Sequence, residues 1–220
     1  MPTTLLRVNW LDTLDRVGKL VARCWLDETV RQSVLNDPKN TLKQAGIEAA
    51  DWLEIKVNPL AYRWKIEPSS DNAKVACFHL PLAPRPDHLS DADLEEFLAE
   101  TANIEGLQKL EETQLLKVNW PETMDRVGKL IARSWLDEEF RQKFIADPVA
   151  TLEETGLQVP HWWQVKVDPQ AFSWKVEQSS EDPTKALFQI PLMPRPSYVS
   201  DEELRQFVEQ ESGQAVQCGF

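Results

Sequence analysis

Side chains able to act as nucleophiles, proton carriers or metal ligands are scarce in this sequence, and their spacing decides what chemistry they could do. Three histidines (His79, His88 and His161) and three cysteines (Cys24, Cys77 and Cys218) are its whole complement of imidazoles and thiols. The cysteines are widely separated and odd in number, which suits neither a disulfide framework nor the close Cys spacing of a zinc site. No Ser or Cys sits in a nucleophile-elbow pattern. The seven glycines, at 18, 46, 106, 128, 156, 213 and 219, make no phosphate-cradling loop or dinucleotide fingerprint. No catalytic set, metal site or cofactor is expected. Cys24 and Cys77, among apolar neighbours, read as small buried hydrophobes.

Carboxylates are the plentiful reactive group, with 36 Asp and Glu against 24 Lys and Arg and a formal charge of -12. That balance opposes the counterion release that drives binding to phosphate backbones or anionic lipid. Neither a nucleic acid nor a membrane partner is expected. No run approaches the ~20 apolar residues of a spanning helix. The opening stretch reaches Asp12 before a signal-peptide core could form, so the expected location is cytoplasmic. Asp15, Asp27 and Asp37 recur as Asp125, Asp137 and Asp147. They read as caps, turns and ion pairs with Arg16, Arg23 and Arg31 rather than as catalysts, because acids on a solvated helical face rarely do chemistry.

That recurrence belongs to a duplication of the whole chain. Val8-Asn9-Trp10 returns as Val118-Asn119-Trp120, Asp15 to Leu20 as Asp125 to Leu130, and Pro84-Arg85-Pro86 as Pro194-Arg195-Pro196. All matches share one offset of 110 without a gap, and 47 of the first 100 positions are identical. Two domains follow, over 1–104 and 105–220, with a connector rich in helix formers around Thr101–Thr113. None of the three histidines has a histidine counterpart, which excludes a duplicated His-dependent site but leaves open a site in one copy. Residues 1–110 carry 13 basic and 17 acidic side chains, and residues 111–220 carry 11 and 19.

Within a copy, Leu14, Val17, Val21 and Cys24 fall at helical spacing, with Thr13 able to cap them. Asp27 opens a second helix and Asp37-Pro38 a third, closed by Gly46 at a C′ position. The period then changes: Leu53–Val57, Tyr62–Ile66 and Val75–Leu80 alternate, and Ser69–Asn72 supplies a turn. Two or three antiparallel strands are expected. Pro81–Pro86 ends the last of them in an extended segment. Ser90 with Asp93, and Ser200 with Glu203, carry the capping signature of a short terminal helix. The fold class is α+β: two similar domains, each with N-terminal helices, a small antiparallel sheet and a C-terminal helix.

Nine tryptophans stand out, four per copy in matched positions (Trp10, Trp25, Trp52 and Trp64 with Trp120, Trp135, Trp162 and Trp174) plus Trp163. At ~150–250 Å² buried per aromatic ring, they can form most of a small core. An exposed aromatic groove for a peptide is the alternative, because Trp is also favoured at interaction hot spots.

The string Ala132 to Gln142, running on to Asp147-Pro148, Leu152 and Gly156, resembles the N-terminal helical part of nitrile hydratase alpha subunits, and Ala22 to Gly46 matches it in the first copy. Phe188 to Pro196, followed by Ser200-Asp201-Glu202-Glu203-Leu204, is similar to the end of the nitrile-hydratase-like leader peptides of ribosomally made, modified peptides. The resemblance implies helices, a short strand region, a proline segment and an acidic helix in that order. The Cys-(Ser/Thr)-Leu-Cys-Ser-Cys claw that holds iron or cobalt in the hydratase is absent, so hydratase chemistry is not expected.

A non-catalytic interaction or adaptor protein is therefore expected, with a protein or peptide partner. Its duplication would raise effective concentration at a second weak contact. The expected contacts are Arg85 and Arg195 in the Pro-Arg-Pro segments, and Leu94, Phe97, Leu204 and Phe207 in the terminal helices. The alternative is a ribosomal peptide precursor whose short core follows Gly213.

Overall fold

The computed structural model describes residues 10–47, 49, 53–60, 65–69, 76–100 and 120–210, excluding the side chains of 10–14, 65–68, 76 and 120–122. The chain divides into two compact units, one within Met1–Thr101 and the other within Ala102–Ser212.

In the first unit, helix α1 (Trp10–Leu26) buries Val17, Leu20 and Cys24 along one stripe. It is a turn longer than the expected start at Thr13, so Thr13 lies within the helix and does not cap it. Asp27 caps α2 (Glu28–Asn36) by accepting the Thr29 N–H at 2.7 Å. Asp37 then ends α2 and caps α3 (Pro38–Gln44), where Pro38 occupies the first helical turn. Gly46 follows the C-cap Ala45 with φ of 77°, the left-handed conformation in which a Cβ is costly. Recurrent Asp27 and Asp37 are thus caps, and Asp15 pairs with Lys19 at 3.1 Å.

Strands β1 (Leu53–Asn58), β2 (Lys65–Pro68) and β3 (Ala76–Pro81) form one sheet in the order β1-β3-β2. The expected all-antiparallel sheet is corrected here: β2 runs antiparallel to β3, but β1 runs parallel to it, with Leu53 opposite Ala76 and Asn58 opposite Pro81. A parallel pair needs a crossover of a dozen or more residues, and the stretch between β1 and β3 is long enough to provide one, with β2 as its return. Alternation reports which face a residue occupies and nothing about strand direction. One sheet face joins the helices through Phe78, Leu80 and Leu82 against Val17, Leu20, Val34 and Leu42. Helix α4 (Asp91–Ala99) closes the unit.

The second unit repeats this order: α5 (Trp120–Leu136), α6 (Glu138–Ala146), α7 (Pro148–Glu154), β4 (Trp163–Asp168), β5 (Lys175–Gln178), β6 (Ala186–Pro191) and α8 (Asp201–Glu209). Its sheet has β6 central, parallel to β4 and antiparallel to β5. β5 begins at Lys175, three residues later than the alternation around Tyr62 implies, because Trp174 stacks on Phe188 (5.7 Å between centroids) ahead of the paired stretch. The interior is more aromatic than in the first unit. Phe140 and Phe144 stand where the first copy has Val30 and Val34, with centroids 6.3 Å apart. Trp163, in place of Leu53, packs edge-on to Trp162 at 5.6 Å and against Phe188 at 4.9 Å. These tryptophans are core, whereas Trp52 and Trp64 lie outside the described residues and the Trp10 and Trp120 side chains are not described.

Candidate interaction surface

After β3 the chain meets Pro81, Pro84 and Pro86. Each proline locks φ near −65° and turns the preceding residue away from the helical region. Residues 82–86 therefore leave the sheet as a strap that belongs to no helix or strand. Buried Leu82 anchors it, its N–H donating to the Asn58 carbonyl at 3.1 Å. The indole N–H of Trp25 donates to the Ala83 carbonyl at 2.8 Å. From within the strap, Arg85 Nε donates to the Leu89 carbonyl at 2.9 Å and its guanidinium pairs with Asp91, at the start of α4.

The second unit carries the same links. Leu192 N–H donates to the Asp168 carbonyl at 2.9 Å, the Trp135 indole to the Met193 carbonyl at 2.8 Å, and Arg195 Nε to the Val199 carbonyl at 2.9 Å, while its guanidinium pairs with Asp201. Two tryptophans far away in sequence thus tie down two proline segments.

Each strap feeds a capped helix. Ser90 and Asp93 cap reciprocally, as do Ser200 and Glu203. Hydrogen bonds from the Ser90 hydroxyl and backbone hold the Asp93 carboxyl below its ordinary range, the Arg195 guanidinium does so for Asp201, and the Ser200 backbone N–H and hydroxyl do so for Glu203. The far end is also fixed. Lys19 Nζ, paired with Asp15, donates to the Glu100 carbonyl at 2.7 Å, and Lys129, 3.2 Å from Asp125, donates to the Gln210 carbonyl. A cation at a helix C-terminus meets the negative end of its dipole.

Most of the residues expected from sequence as partner contacts are buried or bonded within their own unit. Arg85 and Arg195 spend their guanidinium groups on their own chain. Leu94 and Leu204 are 0 % exposed and Phe207 is 3 % exposed, so they are core, and Phe97 is half-buried. A nine-residue helix has one apolar stripe, and docking α4 on α1, or α8 on α5, consumes it. What faces outward is the strap itself: Pro84 and Pro194 are exposed, followed by exposed Asp87 and His88 in one unit and Ser197 and Tyr198 in the other.

Among the described residues, no three or more His, Cys, Asp and Glu side chains gather as a metal-binding group, and no helix is long and apolar enough to cross a membrane. Burial pushes the Cys24 thiol up to about 11, away from the thiolate a nucleophile requires, and Cys77 is buried too. Cys218, Gly106 and the segment after Gly213 lie outside the described residues.

Sequence reasoning missed the Trp-to-carbonyl and Lys-to-carbonyl links. Their signal was present: Trp25, Lys19 and Asp15 are all repeated at the 110 offset, although Lys and Asp have no place on an apolar stripe. No family model matches the chain, and no match is found among curated proteins or solved structures.

Proposed function

We propose that this chain is a non-catalytic interaction protein that holds a protein or peptide partner through two proline straps. One observation carries this reading: each unit fixes a proline segment that belongs to no helix or strand through a Trp indole at one end and an Arg guanidinium at the other. A segment already ordered loses little conformational entropy on binding, so more of its contact energy remains as affinity. Prolines lack the N–H needed to join a sheet, which leaves their rings as the recognisable feature. Two straps on one chain raise the effective concentration of the second contact once the first has formed.

The order of elements in each unit, with helices, a small sheet, a proline segment and an acidic helix, agrees with what the resemblance to nitrile-hydratase-like leader peptides implies. The test is affinity capture from the native host with the wild-type chain and with the P84D/P194D variant, whose changes fall on exposed positions. Loss of specific partners from the variant, with unchanged circular dichroism, supports the reading. Undiminished recovery of every partner overturns it.

A further inference from the structure

The two straps share a skeleton and differ in what they show. The positions that shape the backbone are identical: Pro84, Arg85 and Pro86 match Pro194, Arg195 and Pro196, and the Trp indole and Arg contacts repeat at the same atoms. Buried Leu82 and Leu89 have Leu192 and Val199 as counterparts. By contrast, the three strap positions whose side chains are not proline, not buried and not the tying arginine have all changed. Ala83 becomes Met193, Asp87 becomes Ser197 and His88 becomes Tyr198. Because the frame is constant, these three side chains are what distinguishes one strap from the other.

Their chemistry has moved in one direction. Each strap exposes one proline ring, Pro84 or Pro194; the first then ends in an exposed carboxylate and imidazole, whereas the second has a half-buried thioether, an exposed serine hydroxyl and an exposed phenol, without a charged group at the three changed positions. Tyr198, 36 % exposed, and Leu60 are the large hydrophobic side chains left exposed among the described residues, and Tyr198 is the one that lies on a strap turn. Extended proline segments are recognised by grooves lined with aromatic rings. Methionine sulfur and a tyrosine ring add favourable contacts with such rings. Asp87, lacking a cation supplied by the groove, would have to be stripped of water at a net cost there.

We propose that the second strap, Met193–Tyr198, is the docking ligand for an aromatic-lined groove on a partner protein, and that the first strap does not fit the same groove. This rests on the reading of the straps as interaction sites and assigns them different partners.

The two side-chain sets can be exchanged, because each already exists on the same backbone in the other unit. Purified full-length chain is titrated calorimetrically with a panel of purified groove domains of the SH3, WW and EVH1 types. Three proteins are compared: wild type, M193A/S197D/Y198H, and A83M/D87S/H88Y, with far-UV circular dichroism and thermal midpoints confirming their folds. The expected result is a panel member that binds wild type one to one. It loses affinity about tenfold or more in M193A/S197D/Y198H, and it binds two to one in A83M/D87S/H88Y. No binding by any member, two sites on wild type, or indifference to the exchange overturns the proposal. Native-host capture separates this failure from that of the underlying reading. Partners lost by P84D/P194D but kept by M193A/S197D/Y198H refute only the assignment of the second strap, while partners kept by both variants refute the strap reading as well.

Discussion

Replacing Leu94 or Leu204 with Ala distinguishes a core residue from a partner contact. Each side chain is 0 % exposed, and each belongs to the short helix docked on the long first helix of its unit. Truncation removes three carbons, about 2.4 kcal/mol of transfer free energy at ~0.8 kcal/mol per carbon. A cavity that cannot fully collapse raises the total to about 3–5 kcal/mol. A domain of this size stands about 5–15 kcal/mol above its unfolded state, so either change removes a large share. Surface substitutions cost about 0.5 kcal/mol or less. Urea titration of the full chain, followed by tryptophan fluorescence and far-UV circular dichroism, reads the difference directly. Phe207→Ala, at 3 % exposure, should cost about as much, and half-buried Phe97→Ala less. Losses below about 0.5 kcal/mol for both leucines would refute the placement of these helices and return the residues to the surface.

Trp135→Phe removes the donor to the Met193 carbonyl and should cost about 0.5–1.5 kcal/mol while speeding amide exchange at Leu192, whose N–H donates to the Asp168 carbonyl; an unchanged exchange rate would show that the indole does not fix the strap. Gly46→Ala and Gly156→Ala each place a Cβ at a left-handed φ, for about 1–2 kcal/mol. The two should cost about the same in thermal melts, because the backbone strain is shared and the close approaches, to Arg16 Nη1 and to Arg126 Nη1, are to movable ends of long side chains. The lowered carboxyls of Asp27, Asp93, Asp201 and Glu203 contribute stability that is complete above the ordinary carboxylate range, about pH 4, and lost as pH falls through their folded values. Urea midpoints should therefore drop below that pH, and S90A/S200A should flatten the drop. With its thiol pushed up by burial, Cys24 should stay unmodified by a maleimide at pH 8 until the chain unfolds, as peptide mass mapping will show.

Much of this architecture is legible in the chain because it is decided by neighbours in sequence. Asp27 and Asp37 cap helices that begin one residue later, Gly46 and Gly156 end helices, and Ser90 and Ser200 close boxes with acids three residues on. Helical stripes and strand alternation follow from fixed periods, so the α+β class and the order of elements are also local properties. Strand direction and the roles of the strap residues are not. β1 pairs parallel to β3, yet its alternation would look the same in either direction. Arg85 and Leu94 look like surface contacts when only composition is read, but tertiary packing turns the guanidinium onto Leu89 and Asp91 and closes Leu94 into the core. The link from Trp25 to Ala83 spans 58 positions, and that from Lys19 to Glu100 spans 81. A contact of that separation leaves no periodic trace, because it depends on where the folded elements bring a carbonyl rather than on the spacing of side chains along the chain.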